Sequence, residues 1–332
     1  MLNDNPFLLN TYIKPKYFCG RENETNLLLN FIEKNKSTFI KGEKGIGKST
    51  FLLSTLYKLK KKNKNNLILI DFKKVLDYSN FLDQFIKNAS KALNFNNEID
   101  LPNDKSLNLS LSNLHKAIKE KTIFAFDNFD IDDKRTRNKI EDFIEKEIIT
   151  KGYLYIFTSN SHKLAFNFDK ELSLEEIDTK EYKNFIKKHF KTSNIKIKSK
   201  TIKYIQEICK NDITSIQKLC FRLWENKKNI DTNLVNKTIE DIIIEHESDY
   251  LTVKNLLSLY QWKLLTAIAR KDITDQFTSS NFIKKYSLNA PSSVKTATNA
   301  LLEKGIIIKN SNGNYFVKDT FLQLWIKETL KN

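Results

Sequence analysis

The sequence predicts an α/β chain: a parallel sheet with helices on both faces, then a helical segment, then a C-terminal unit of three helices and a hairpin. Three observations carry that expectation. A glycine-rich turn, Gly42-Glu43-Lys44-Gly45-Ile46-Gly47-Lys48-Ser49, stands between a β-prone run at residues 37–40 and an apolar-periodic helix opening at Ser49. Apolar runs of strand length at 67–72, 122–126 and 153–157 read as strands covered on both faces. Helical periodicity over 259–303 gives way to short apolar runs at 306–308 and 315–317, divided by Ser311-Asn312-Gly313-Asn314, the signature of a hairpin.

The glycine-rich turn fits the phosphate-binding P-loop pattern at every required position, in the strand, loop, helix context that the pattern needs. Three of the chain's 7 glycines lie in it, so a chance turn is a poor account of the match. Gly42, Gly45 and Gly47 allow successive backbone N–H groups to converge on a phosphate. The helix N-terminus adds partial positive charge, Lys48 reaches the β- and γ-phosphates, and the Ser49 hydroxyl ligates Mg²⁺. Ile46 and Thr50 complete the expected phosphate-binding set, and the expected cofactors are ATP and Mg²⁺.

The run 122–126 delivers Asp127-Asn128-Phe129-Asp130, a Walker B pattern in which Asp127 holds the cation with Ser49. Asn128 stands where many such enzymes carry a water-polarising glutamate. A carboxamide orients water but cannot take its proton, so slow hydrolysis is expected. Asp130 has two readings, a substitute base or the N-cap of the next helix. The run 153–157 leads into Thr158-Ser159-Asn160, polar groups placed beside the γ-phosphate, which makes Lys48, Asp127, Asn128 and Thr158 the expected catalytic set. Arg135 and Arg137 are read as surface ion-pair residues or as an arginine finger for a neighbouring subunit. The four histidines show no metal-ligand spacing.

Composition bounds the rest. A chain of 332 residues with 40% hydrophobic content can bury ordinary cores. No apolar run is long enough to span a bilayer, and the N-terminus lacks the layout of a signal peptide, so a cytoplasmic protein with no membrane partner is expected. Three scattered cysteines argue against disulfides and zinc. The net charge of +16 rests almost wholly on lysine, which an AT-rich genome supplies freely, so it is a modest pointer to polyanions. The lysine run 58–64 is read as a solvated helix end or a binding patch.

Upstream of the P-loop, Asn5-Pro6-Phe7 and Tyr17-Phe18-Cys19-Gly20-Arg21-Glu22-Asn23-Glu24 resemble the box that opens signal-transduction ATPases with numerous domains, archaeal-type ATPases and origin-recognition initiators, within the AAA+ group. The resemblance implies an adenine-side role for Tyr17, Phe18 and Arg21. The residues themselves offer aromatic surface for a base, and Glu22 and Glu24 also favour a plain helix start. The C-terminal helices include one at 292–303 with Val294, Ala297, Ala300 and Leu301 inward and Ser293, Lys295, Thr296 and Asn299 outward. Three helices and a hairpin make a winged helix.

The whole arrangement resembles bacterial ATP-binding proteins related to the archaeal-type ATPases with a C-terminal winged helix. It implies three domains: an ATPase core at 1–172, a helical lid at 173–249 and a winged helix at 250–332. Two departures stand out: no Gly-x-Pro turn in the lid at residues 211–217, and Asn160 where many relatives carry arginine. The function implied is an ATP-binding switch that hydrolyses slowly and whose winged helix meets DNA. The alternative is an assembly or protein-interaction switch, with a protein partner or a second copy in place of DNA. Region 251–332 holds 12 basic and 5 acidic residues, which tilts towards DNA. A GTPase is disfavoured because no Asn-Lys-x-Asp motif occurs.

Overall fold

A computed structural model describes residues 5–7, 18–43, 45–62, 65–94, 104–118, 121–161, 163–226, 229–271, 277–309 and 313–330. The chain forms two compact units, Asn10–Tyr182 and Met1–Leu9 with Lys183–Asn332. Tyr17, Lys44, His162 and the hairpin residues Ser311 and Asn312 lie outside the described residues.

The first unit opens with α1 (Glu22–Glu33), β1 (Thr38–Lys41), α2 (Lys48–Lys62) and β2 (Asn66–Asp71). It continues through α3 (Tyr78–Leu93), α4 (Asp104–Ala117), β3 (Thr122–Asp127), α5 (Lys134–Ile144), β4 (Leu154–Ser159) and β5 (Lys170–Ser173). The strands form one parallel sheet in the order β2-β3-β4-β1-β5. β3 and β4 are buried at every position, which is why they read as unbroken apolar runs. Side chains alternate between two cores. Phe124, Phe126, Tyr155 and Phe157 join the cluster under α3, α4 and α5, whereas Ile123, Ala125, Leu154 and Ile156 join the cluster under α1 and α2. The first of these is rich in aromatic rings, with Phe126 and Phe157 centroids 4.6 Å apart and Phe85 stacked on Phe124 at 6.0 Å.

Because every pairing is parallel, the strand ends that carry polar residues fall on one edge. The register pairs Asp71 with Asp127 and Lys41 with Ser159, and β4 lies between the strand that feeds the P-loop and the strand that ends in Asp127. β4 runs farther than its apolar run, taking in Thr158 and Ser159, both fully buried. β5 has no apolar run to announce it: of its four residues only Leu172 is buried, and it closes the sheet beyond β1.

The second unit contains most of α6 (Thr179–Thr192), which crosses the boundary, then α7 (Ser199–Ile208), α8 (Ile213–Glu225), α9 (Thr232–Glu245) and α10 (Glu247–Asn255). The N-terminal residues belong here: Phe7 is fully buried, 4.8 Å from the Phe190 ring, and Asn5 donates to the Phe221 carbonyl at 3.0 Å. The end of the chain is built from α11 (Leu259–Lys271), α12 (Ser280–Lys285), α13 (Pro291–Glu303), β6 (Ile307–Lys309), β7 (Tyr315–Val317) and α14 (Thr320–Thr329). Ser279 caps α12 by accepting from the Phe282 N–H, and Pro291 starts α13, where its missing N–H costs nothing. On α13, Val294, Ala297 and Leu301 are buried, Ala300 and Ser293 are half-buried, and Lys295, Thr296 and Asn299 are exposed. β6 and β7 pair antiparallel with Lys309 opposite Tyr315. This is the expected winged helix.

Candidate functional site

The loop between β1 and α2 leaves room where a phosphate would have to sit. A side chain on Gly42 would meet the Leu174 carbonyl oxygen at 2.8 Å, so the loop's first glycine is required by close approach of backbone. Gly45 and Gly47 have φ of 93° and 92°, and nothing lies within 4 Å of the space that their side chains would fill. That open cradle leads into the N-terminus of α2. Arg21, 5% exposed, braces the loop from behind: its guanidinium donates to the Ile46 carbonyl at 3.2 Å and the Glu175 carbonyl at 2.6 Å, and pairs with Glu24 at 3.1 Å. The arginine of the adenine-side box is thereby spent on holding the P-loop and the chain after β5. Phe18 is half-buried against the α1–α2 core.

Lys48 is buried, and its ammonium donates to the Gly42 and Glu43 carbonyls at 2.6 and 2.8 Å and to the Asn160 carboxamide oxygen at 2.9 Å. Burial lowers its pKa to about 8, against the opposing pull of Asp130 and Asp127. A buried cation whose direct acceptors are all neutral suits an anionic ligand. The loop, the cradle and the lysine together fit a nucleotide phosphate group.

At the end of β3, Asp127 is 2% exposed and accepts from the Thr158 hydroxyl at 2.5 Å. Burial raises its pKa, the Thr158 and Ser49 hydroxyls oppose that, and Asp71 adds to the rise. Asn128 adopts a left-handed φ of 57°, which asparagine tolerates, and this turns its carboxamide back across the strand ends. Its NH₂ donates to Asp71 at 3.0 Å and Asp127 at 2.9 Å, its oxygen accepts from Ser49 at 3.2 Å, and its backbone N–H donates to the Thr158 hydroxyl at 2.9 Å. The carboxamide expected to orient water lies between two carboxylates. The Ser49 hydroxyl is also among the groups that act on Asp127, so the two residues expected to hold a cation are neighbours. Asp71 was missed from the sequence, although it ends an apolar run just as Asp127 does. Thr50 also lies in the first turn of α2, half-buried.

Asp130 is the main correction. It does not cap α5; Asp133 does, accepting from the Thr136 N–H at 2.7 Å. Asp130 stays exposed and turns to the end of β4, where it accepts from the Ser159 hydroxyl at 2.6 Å and from Asn160 through its side chain at 2.6 Å and its backbone at 2.9 Å. Asn160 thus bridges Lys48 to Asp130, a link that neither residue's sequence context announces. Of the two arginines, Arg137 is tied to the Ile131 carbonyl and Arg135 is exposed.

A family model described as a probable winged helix domain matches residues 248–328. Among solved structures, the chain is similar to a Walker-type ATPase of Pyrococcus abyssi, at 16% identity and a TM-score of 0.66, over 97% of this chain and 99% of that one. It is similar to the ORC2 protein of Aeropyrum pernix in its ADPNP-ADP complexes, at 12% identity and 0.60, over 100% and 99% of the two chains. It is also similar to the ORC1 protein of Aeropyrum pernix in complex with DNA, at 10% identity and 0.56, over 94% and 93%. No curated protein matches the sequence. The chain therefore has the fold of a Walker-type ATPase with a C-terminal winged helix, and the likeness extends over nearly the whole length of each chain. Among the described residues no helix is long and apolar enough to cross a membrane.

The Asn128 bridge can be tested by isosteric substitution. Asn128→Asp places a third carboxylate beside Asp71 and Asp127, in a turn that aspartate also tolerates. Stability at neutral pH should fall by about 1–3 kcal/mol. The new group's folded pKa lies above its unfolded one, so the loss is full above the folded pKa and vanishes below about pH 4. Urea denaturation of both proteins across that range measures it; equal midpoints at pH 7 would show that the amide separates nothing.

Proposed function

We propose that the chain binds ATP·Mg²⁺ at the carboxyl edge of the sheet and acts as a nucleotide-dependent switch with slow hydrolysis, its winged helix meeting duplex DNA. The observation that supports it most is the meeting of Lys48, Ser49, Asp127 and Thr158 around an open glycine cradle. In this reading Gly42, Gly45, Ile46, Gly47, Lys48, Ser49 and Thr50 surround the phosphates, and Ser49 and Asp127 hold the cation. Phe18, with Tyr17, lines the adenine side, and Arg21 fixes the loop. The cation, when bound, supplies charge neutralisation for the transferring phosphoryl group. Thr158 fixes the orientation of Asp127, and Asn160 ties Lys48 to Asp130. The domain limits 1–172, 173–249 and 250–332 are part of the proposal, as is a cytoplasmic location.

Asp130 is the carboxylate available to position water. Its oxygens already hold Ser159 and Asn160, so water must compete for them, which accords with slow turnover. DNA follows from the exposed face of α13 and from the solved ORC1 likeness in complex with DNA. One observation favours the second reading, a protein-interaction switch: Leu256 and Leu259 beside the α10–α11 junction are 67% and 92% exposed.

Lys48→Ala should abolish tight ATP binding by titration calorimetry, and an affinity equal to wild type would remove the P-loop assignment. Phosphate favours the ammonium form, so wild-type affinity should be flat below about pH 8 and fall above it, with proton uptake on binding in that window. Turnover should be on the order of 1 per second or less, against about 10 for a typical enzyme. Asp130→Asn should lower it by a further ~100-fold with ATP affinity kept; an unchanged rate would assign the water elsewhere. For the winged helix, Lys309→Ala with Lys318→Ala should weaken all duplexes alike and flatten the salt slope by about 2, whereas Asn299→Ala should relax specificity at one position. Absence of salt-sensitive DNA binding would leave the protein switch.

A further inference from the structure

The three longest stretches of sequence without a single Asp or Glu are residues 44–70, 276–302 and 182–206. The first begins inside the P-loop, just after its Glu43, and takes in the rest of that loop and α2; the second takes in α12 and, up to its final Glu303, α13 of the winged helix. Both are places where the proposed function puts phosphate. The third has no assigned role, yet it is the richest of the three in lysine, with eight: Lys183, Lys187, Lys188, Lys191, Lys196, Lys198, Lys200 and Lys203. A lysine excess set by genome composition adds lysine everywhere, but it does not remove carboxylates from one segment.

The structure turns seven of these lysines outward and leaves Lys183 half-buried. On α6 the buried positions include Ile186, His189 and Phe190, which leaves Lys187, Lys188 and Lys191 exposed. Between α6 and α7 the chain is extended, with Ile197 in a parallel bridge to Ile230, so Ile195 and Ile197 face inward while Lys196 and Lys198 face solvent. On α7, Lys200 and Lys203 lie opposite buried Ile202 and Ile205. Lys203 pairs with Glu207 at 3.4 Å, and no carboxylate pairs with the other exposed six among the described residues. Exposed Asn184, Thr192, Asn194 and Ser199 intersperse them with hydrogen-bond donors.

The start of α7 breaks a local rule. Its N-cap is Lys198, with no side-chain cap hydrogen bond, and Lys200 lies in its first turn. Helix N-termini favour Ser, Thr, Asp or Asn and negative charge; cations there oppose the macrodipole. Asp77, Asp133, Asp212, Asp231 and Asp319 each cap a helix in the favoured way; α1, α10 and α13 also start without a side-chain cap, at Arg21, His246 and Ala290, but the Arg21 guanidinium is held by Glu24 and by backbone carbonyls, whereas Lys198 is exposed. A cation-flanked, uncapped helix start is unfavourable alone and favourable beside a phosphate.

We propose that the lysine-bearing face of residues 187–203 is a second DNA-contacting surface, binding the phosphate backbone without reading sequence. It rests on the reading that the chain meets DNA, and it adds to the winged helix a contact whose energy comes from counterion release. Its mark is a share of the salt dependence that the wing does not account for.

The test uses the full chain and a labelled duplex DNA, with binding followed by fluorescence anisotropy across a salt series. One variant carries Lys187→Gln, Lys188→Gln and Lys191→Gln; another carries Lys196→Gln, Lys198→Gln and Lys200→Gln. Each should flatten the salt slope by about 2 to 3 and weaken binding by roughly tenfold or more, equally for all sequences and additively with the Lys309→Ala, Lys318→Ala pair. Arginine at the same positions should restore the slope, which separates charge from folding. An unchanged far-ultraviolet circular-dichroism spectrum and thermal midpoint check that the Gln variants fold. If the wing pair weakens binding while both Gln variants keep the wild-type slope, the second surface is overturned and the DNA reading stands. If the wild-type chain shows no salt-dependent DNA binding, the DNA reading itself falls and this surface with it. Loss of binding to phosphatidylserine vesicles in the Gln variants, with DNA binding unchanged, would assign the face to a lipid surface and overturn the proposal.

Discussion

Asp127 is a carboxylate placed where water hardly reaches it, and the architecture around it follows from the need to satisfy it. Burying an ionised carboxylate is costly unless donors meet it. The sheet order supplies the first donor: β4 lies beside β3, so Thr158 at its end reaches Asp127 directly. The left-handed turn at Asn128 supplies the second, by folding a carboxamide back onto the same carboxylate. Thr158 then accepts from the Asn128 backbone, which closes the loop between the two strand ends. These bonds fix the Asp127 carboxylate, and the Asn128 carboxamide also holds the Ser49 hydroxyl.

The same logic governs Lys48. Its charge is held by the loop's own carbonyls and by Asn160, partners that balance burial only in part, which is why its pKa falls to about 8. A lysine fully neutralised by a carboxylate would have to give that partner up on meeting a phosphate. One held by neutral oxygens exchanges them at smaller cost. The edge of the sheet therefore carries a buried cation at the start of α2 and, at the ends of β2 and β3, the carboxylates Asp71 and Asp127, with Ser49 and Asn128 linking the two regions.

Much of this was legible in the sequence because buried parallel strands leave continuous apolar runs and the P-loop has fixed spacing. β2, β3 and β4 were found that way, as were the winged helix and its exposed α13 face. β5 was not, since a short edge strand with one buried residue leaves almost no periodic signal. The motif residues are legible from their spacing, but the hydrogen-bond partners around them are not. Whether Asp130 caps a helix or faces Lys48 depends on the turn that follows Phe129, whose N–H is fixed by the Thr158 carbonyl at 2.8 Å, a contact from another strand. Asp71 went unremarked because its role exists only through its register with Asp127. The braces made by Arg21 likewise depend on two backbone oxygens distant in sequence.

Charge shows the same division between what composition and position reveal. The total of +16 says little, because lysine is abundant throughout. The distribution of carboxylates says more, since acidic residues cap five helices and hold the site, and are missing from three long stretches. Carboxylates are repelled from surfaces that approach phosphate, and their removal costs little stability on exposed faces, where ion pairs contribute at most about 1 kcal/mol. Acid depletion on an exposed, folded segment is therefore a more selective mark of a polyanion contact than lysine enrichment. By that criterion the proposal groups residues 182–206 with the P-loop helix and the winged helix, and the exposed lysine at the uncapped start of α7 is a feature that a lysine count would not reveal.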